Sequence, residues 1–166
     1  MKWPFFRRLP GADAVIKICA QAFDPWREVS EYQSATPAMA GKFGATSIFV
    51  GTMRDYNEGD EVQGMTLEHY PGMTEKYLER IVTEAKQRWQ LINTLIVHRV
   101  GFILPNDPIV LVAVWSAHRG DAFDASRYIM EALKSMAPFW KKERLLNAEE
   151  RWVEKNTDGY SKPTQA

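Results

Sequence analysis

The sequence predicts an α+β domain, with strands and helices mixed without strict alternation, and three stretches carry that prediction. Ile109-Val110-Leu111-Val112-Ala113-Val114-Trp115 is an unbroken apolar run rich in β-branched residues, the pattern of a buried strand. Directly after it, Ala122, Ala125, Ile129, Leu133 and Met136 recur at helical spacing. Upstream, residues 62–70 roughly alternate apolar and polar, as a half-buried strand does. At 166 residues the chain is long enough for one well-buried core.

Taken in order, residues 1–10 contain Trp3, Phe5, Phe6, Arg7 and Arg8, a superficially amphipathic piece with no long apolar core and no small-residue cleavage site. It reads as an extension. Residues 15–20 form a strand, and Asp24 followed by Pro25 is a helix start: a carboxylate to cap the first amides, then a proline at the first helical position. That helix runs to about residue 32, and residues 34–42, with Thr36-Pro37-Ala38 and Gly41, are loop. A strand over 44–52 delivers Arg54 to the next loop. Asn57-Glu58-Gly59-Asp60 turns the chain into the strand at 62–70, so these two strands are expected to pair as a hairpin with a mobile tip.

Pro71-Gly72 ends that strand, and a helix from about residue 74 buries Leu78, Ile81, Val82, Ala85 and Trp89. Glu75 early and Lys86 and Arg88 late suit its dipole. Residues 94–101 are another strand, and 104–108 turn into the strand that begins at Ile109. His118 and Arg119 follow in a loop at that strand's end, where rigid strands often present functional side chains. Asp121 is the expected N-cap of the next helix, and Pro138 biases Ala137 away from helical geometry and so ends it. Lys134 then falls in the last turn, and Lys141 on the extended segment beyond.

Charge narrows the function. Lysine plus arginine, 21, equals aspartate plus glutamate, 21, so the overall field favours neither nucleic acid nor a membrane surface, and anion recognition has to be local. One strand-loop-helix-loop unit carries His118, Arg119, Lys134 and Lys141, four candidates for one anion pocket. Phe123, Arg127, Met130 and Lys134 make a mixed stripe beside the helix's core face. A last-turn lysine is favoured by the helix dipole whatever else it does, so pattern alone leaves a solvated surface as an equal reading. Cys19 is the sole cysteine, which excludes an intrachain disulfide, a CxxC pair and a cysteine-rich metal site, and it reads as a buried inert thiol. The three histidines are dispersed with no ligand spacing, so no metal is expected. No stretch approaches the ~20 apolar residues of a membrane span, and a cytoplasmic location is expected.

Three segments sharpen this reading. Leu67-Glu68-His69-Tyr70-Pro71-Gly72-Met73, Ser116-Ala117-His118-Arg119 and Ala137-Pro138-Phe139-Trp140-Lys141-Lys142-Glu143 resemble, in the right order, the signature segments of the large, catalytic subunit of molybdopterin synthase, the MoaE family. Gly51-Thr52-Met53-Arg54-Asp55, His98-Arg99-Val100-Gly101 and Arg151-Trp152-Val153-Glu154 fit the same pattern. The resemblance implies an α/β-hammerhead type of α+β fold with mixed, mostly antiparallel strands. It divides the chain into an N-terminal extension at 1–14, one MoaE-like domain at 15–154 and a flexible tail at 155–166.

Members of this family convert cyclic pyranopterin monophosphate (precursor Z) to the molybdopterin dithiolene. Their sulfur comes from the thiocarboxylated Gly-Gly terminus of a small ubiquitin-like subunit of MoaD type. The resemblance implies a homodimer of this chain within a heterotetramer, no separate cofactor or metal, and a site able to borrow cations from the neighbouring copy. Residue by residue, Lys134 and Lys141 match the two catalytic lysines. Arg54, His118 and Arg119 match positions associated with substrate or phosphate. Both ligands are anionic, so fixed cations are what such a site needs. Phe123, Met130, Pro138 and Phe139 are the candidates for an apolar wall seating the pterin, with core packing as the alternative. Glu68, His69 and Tyr70 read first as structural, and Arg151 reaches the site or the subunit interface. A non-catalytic module that holds a pterin phosphate or a ubiquitin-like tail is the competing reading. A hydrolase lacks its Ser-His-Asp order, metal site or close carboxylate pair.

Overall fold

The computed structural model describes residues 6–8, 13–57 and 59–153. Along the chain it runs β1 (Phe6–Arg8), β2 (Ala14–Cys19), α1 (Pro25–Ser34), a 3-10 turn (Pro37–Met39), β3 (Ala45–Thr52) and β4 (Tyr56–Asn57). It continues with β5 (Asp60–His69), α2 (Met73–Arg88), β6 (Leu91–Arg99), β7 (Gly101–Ile103), β8 (Pro108–Ser116), α3 (Arg119–Met136), β9 (Phe139–Leu145) and β10 (Glu150–Trp152). The first sheet has the order β1-β2-β6-β8-β3, with β2 and β6 parallel and the other neighbours antiparallel. The second has the order β10-β9-β5-β4, with β7 also paired to β5. This is the expected α+β class.

Both faces of the first sheet are covered, which is why its central strands read as unbroken apolar runs. Ile16, Ile96, Val110, Val112 and Val114 pack with Leu78, Ile81, Val82 and Ala85 of α2 and Ala125, Ile129 and Leu133 of α3. The alternate residues Val15, Leu95, Val97, Leu111, Ala113 and Trp115 pack with Val29 of α1 and Met39 of the 3-10 turn. Burying one such Val, Leu or Ile side chain is worth about 1.5–3 kcal/mol. A third cluster, Met53, Val62, Met65, Leu67 and Ile103, backs the second sheet.

Local signals explain most boundaries. The Asp24 carboxylate accepts from the amides of Trp26 (2.9 Å) and Arg27 (3.3 Å), the expected cap of α1. At the start of α2, Gly72 takes φ +83°, a left-handed conformation glycine adopts without penalty, and its N–H donates to Glu75 Oε2 at 2.6 Å. Gly101, at φ +80°, lets the chain leave β6 in the first sheet and enter β7 in the second.

Several expectations are corrected. The 44–52 and 62–70 strands are not a hairpin: β3 pairs with β8 over Ala45 to Thr52, while β5 pairs with β9 and β7, and only the short β4 folds back on β5. Asp121 is not the cap of α3. The helix begins three residues earlier than that cap implies, after an extended His118 (φ −126°, ψ 144°) that makes no side-chain cap bond, and Asp121 Oδ2 accepts from the Gln90 amide at 3.3 Å. Within the 1–14 extension, β1 adds an antiparallel edge strand to β2, and Ala14 opens β2 itself. Trp89 is the C-cap residue of α2 and only partly buried. The tail at 155–166 and residue 58, at the expected mobile tip, lie outside the described residues. Among the described residues no helix is long and apolar enough to cross a membrane.

Candidate active site

The two sheets and the C-terminal end of α3 enclose a cavity of about 230 Å³. Each wall comes from a different element. β3 contributes Phe49, the loop after it Arg54, β6 His98, α3 Met130 and Lys134, and β9 Phe139, Lys141 and Glu143. Residues 139, 141 and 143 lie two apart on one strand, so they share the face that looks into the cavity. The Arg54 loop is pinned by its neighbour: the Met53 amide donates to the Asp107 carbonyl (3.0 Å), and the Met53 carbonyl accepts from the Asn106 amide (2.9 Å). Arg54 itself is exposed at the mouth.

Lys141 sits partly buried beside a second cation. Burial first, and the Lys134 ammonium second, hold its amine below the ordinary lysine range, with Glu143 pulling the other way. A larger share of Lys141 is therefore neutral near physiological pH than for a surface lysine, which suits proton transfer or nucleophilic attack. Glu143, 5% exposed, is tied down at both oxygens: Asn57 Nδ2 donates to Oε1 at 2.6 Å and Arg151 Nη2 to Oε2 at 3.0 Å. Its charge is largely spent on these partners, and the cavity keeps a cationic character.

Of the sequence-predicted residues, Arg54, Met130, Lys134 and Lys141 line this one cavity. Arg151 does not line it. Its guanidinium bridges Glu143 and Asp60 (2.8 Å), so within this chain it touches the site through Glu143. His118 and Arg119 stand exposed at the opposite end of α3 from Lys134. Fifteen residues of helix at about 1.5 Å each put Arg119 roughly 22 Å from Lys134, so one chain cannot gather all four cations into one pocket. Phe139 and Met130 form the apolar wall, but Phe123 is 65% exposed on the surface of α3 and Pro138 does not line the cavity.

His69 also stays out of the cavity lining, 6.3 Å from the Phe139 ring centre to centre. Cys19 is partly rather than fully buried, and burial raises its thiol pKa, with Lys17 and Arg99 opposing, so it is a thiol at neutral pH. Among the described residues no group of three or more His, Cys, Asp or Glu is placed to hold a metal. Several cavity residues, among them Phe49, Asn57, His98 and Glu143, escaped the sequence reading as site candidates. The signal for His98 was a polar residue directly after the apolar run Leu95-Ile96-Val97 of a buried strand.

Comparison with known proteins gives the same direction. The chain matches the family described as MoaE protein over residues 19–136. The molybdopterin synthase catalytic subunit of Pasteurella multocida is 48% identical over 151 residues, which cover 89% of this chain and 95% of that protein. Its counterpart in Ralstonia nicotianae is 50% identical over 139 residues, 84% of this chain and 76% of that one. Among solved structures, the molybdopterin biosynthesis MoaE protein from Burkholderia ambifaria aligns with a TM-score of 0.70 at 50% identity, over 87% of this chain and 92% of that chain. With a family match over most of its length, a relative 48% identical across nearly the whole of both chains and a shared fold, this chain belongs to the MoaE family.

Proposed function

We propose that this chain is the catalytic subunit of a molybdopterin synthase and acts as a sulfurtransferase. It moves sulfur from the thiocarboxylated C-terminus of a small ubiquitin-like subunit to cyclic pyranopterin monophosphate, in the cytoplasm. The observation that carries this reading is the pairing of Lys134 and Lys141 in one cavity with Arg54 at its mouth and Met130 and Phe139 on its wall. Each transfer breaks the carbon–sulfur bond at the small subunit's terminal carbonyl, which takes up oxygen from water and leaves as a carboxylate, and forms a carbon–sulfur bond on the pterin substrate in place of a carbon–oxygen bond. The moving charge needs fixed cations and a group that can exchange a proton. Lys141, with its lowered pKa, supplies the proton exchange; Lys134 depresses that pKa and helps hold the anions. The apolar wall seats the pterin ring.

His118 and Arg119 serve a cavity in a second copy of this chain. Their roughly 22 Å separation from Lys134 supports that placement, since an exposed His-Arg pair on a helix N-terminus is suited to a phosphate it cannot reach within its own chain. Arg151 orders Glu143 and thereby the β9 face. The test is a single-turnover reaction with the thiocarboxylated small subunit and cyclic pyranopterin monophosphate, scoring dithiolene product. Wild type forms product and Lys141→Ala forms little. A folded wild-type protein that binds the small subunit yet yields none overturns the reading in favour of a binding module.

A further inference from the structure

The cationic side chains at the cavity are donors only, and the neutral oxygens of Thr52, Tyr56 and Asn57 lie among its other lining residues. Arg54, Lys134 and Lys141 have no acceptor atoms. Both carboxylate oxygens of Glu143 already accept, from Asn57 and Arg151. His98 differs. It is 4% exposed on β6, and its Nδ1 lies 2.8 Å from the Arg99 carbonyl, a partner that can only accept. The proton is therefore on Nδ1, and Nε2 carries a bare lone pair. The ring is stacked on Phe139, with centres 3.9 Å apart and planes 11° from parallel, so it is held flat against the cavity's apolar wall. His98 comes from the first sheet and Lys141 from the second, and both face the same space.

Burial above all keeps the imidazole neutral, with a pKa pushed down to about 4; the Arg99 carbonyl opposes this, and the charges of Lys141 on β9 and His69 on β5 reinforce it. Nε2 thus remains an acceptor throughout the working pH range. A reduced pterin brings N–H donors on its ring and its amino group, and a donor buried without an acceptor is costly.

We propose that His98 is a substrate-binding residue whose Nε2 accepts a hydrogen bond from an N–H of the pterin, fixing the ring's orientation between Phe139 and Lys141. This rests on the synthase reading above. The experiment follows the substrate-concentration dependence of single turnover for wild type, His98→Phe and His98→Gln, with inorganic phosphate as a competing anion. His98→Phe keeps a stacked ring and removes both nitrogens. It is expected to weaken apparent substrate affinity roughly 10- to 100-fold, with the loss on affinity rather than on the saturated rate, and to leave inhibition by phosphate unchanged. His98→Gln, whose amide oxygen reaches about the Nε2 position, recovers part of that affinity.

Wild-type affinity in His98→Phe overturns the proposal, and so does equal damage in both variants accompanied by weakened phosphate inhibition, which marks a collapsed cavity. If His98→Phe does not fold, His98→Gln against His98→Asn makes the same comparison, because the asparagine oxygen reaches only the Nδ1 position. Equal affinity in those two refutes the proposal. Absence of product from wild type sinks the synthase reading itself, whereas product from wild type with an unaltered His98→Phe affinity sinks only this assignment.

Discussion

His98 ties the site to the stability of the fold, and acid exposes the link. An unfolded chain binds a proton on this histidine with a pKa of about 6.5, but the folded chain resists it down to about 4. Between those values the unfolded state holds more protons, so stability rises with pH and is lost as pH falls. Each pH unit in that window is worth about 1.4 kcal/mol, so lowering the pH from 7.5 to 4.5 costs roughly 2–3 kcal/mol through His98 alone. Carboxylates titrate at the lower end of the same interval, and the His98→Phe variant separates their contribution from that of the imidazole. Urea unfolding of both proteins at pH 7.5 and 4.5 reads the difference. The wild type is expected to lose about 2–3 kcal/mol more than the variant over the interval. Equal losses in the two proteins would refute a buried, neutral His98.

Other consequences are simpler to state. Glu143→Gln exchanges a charge-assisted bond to Arg151 for a neutral one in a buried place, and thermal unfolding is expected to show a loss of about 1–1.5 kcal/mol, or a Tm lower by roughly 2–6 °C. At Gly44 an added Cβ would lie 2.6 Å from the Ala117 carbonyl oxygen, so Gly44→Ala pushes on the backbone next to His118 and is expected to cost about 1–3 kcal/mol in denaturant unfolding. If His118 and Arg119 serve a second copy, Arg119→Ala and Lys141→Ala chains, each impaired alone, regain synthase activity when mixed and allowed to exchange partners. No recovery in verified mixed dimers would return these residues to their own chain's surface.

How legible the fold and site were depends on how local each signal is. β8 and α3 stand out because one is apolar on both faces and the other repeats its core residues at helical spacing. Asp24 and Pro25 mark α1 through a contact that spans three residues. The pairing of β3 did not show, since its partner β8 is about sixty residues away while β5 follows almost at once, and neighbouring strands usually pair. Lys134 and Lys141 could be placed together because a helix end and the strand after it must be close. His118 and Arg119 looked equally near in sequence, but α3 is a rigid rod, and its length carries them away. His98 was hidden by its place at the end of its apolar run: next to Arg99 it reads as the point where the strand leaves the core, whereas the second sheet supplies Phe139 to stack on it.

The central claim is that Lys141, its pKa lowered by burial and by Lys134, exchanges the proton in the sulfur-transfer reaction. The pH dependence of the single-turnover rate in wild type and Lys134→Ala tests it most directly. Removing the neighbouring cation raises the Lys141 pKa, so the limb of the profile that follows this lysine moves to higher pH in the variant, whether the neutral or the protonated amine is the active form. A profile that stays in place in a folded variant with measurable activity would contradict the account.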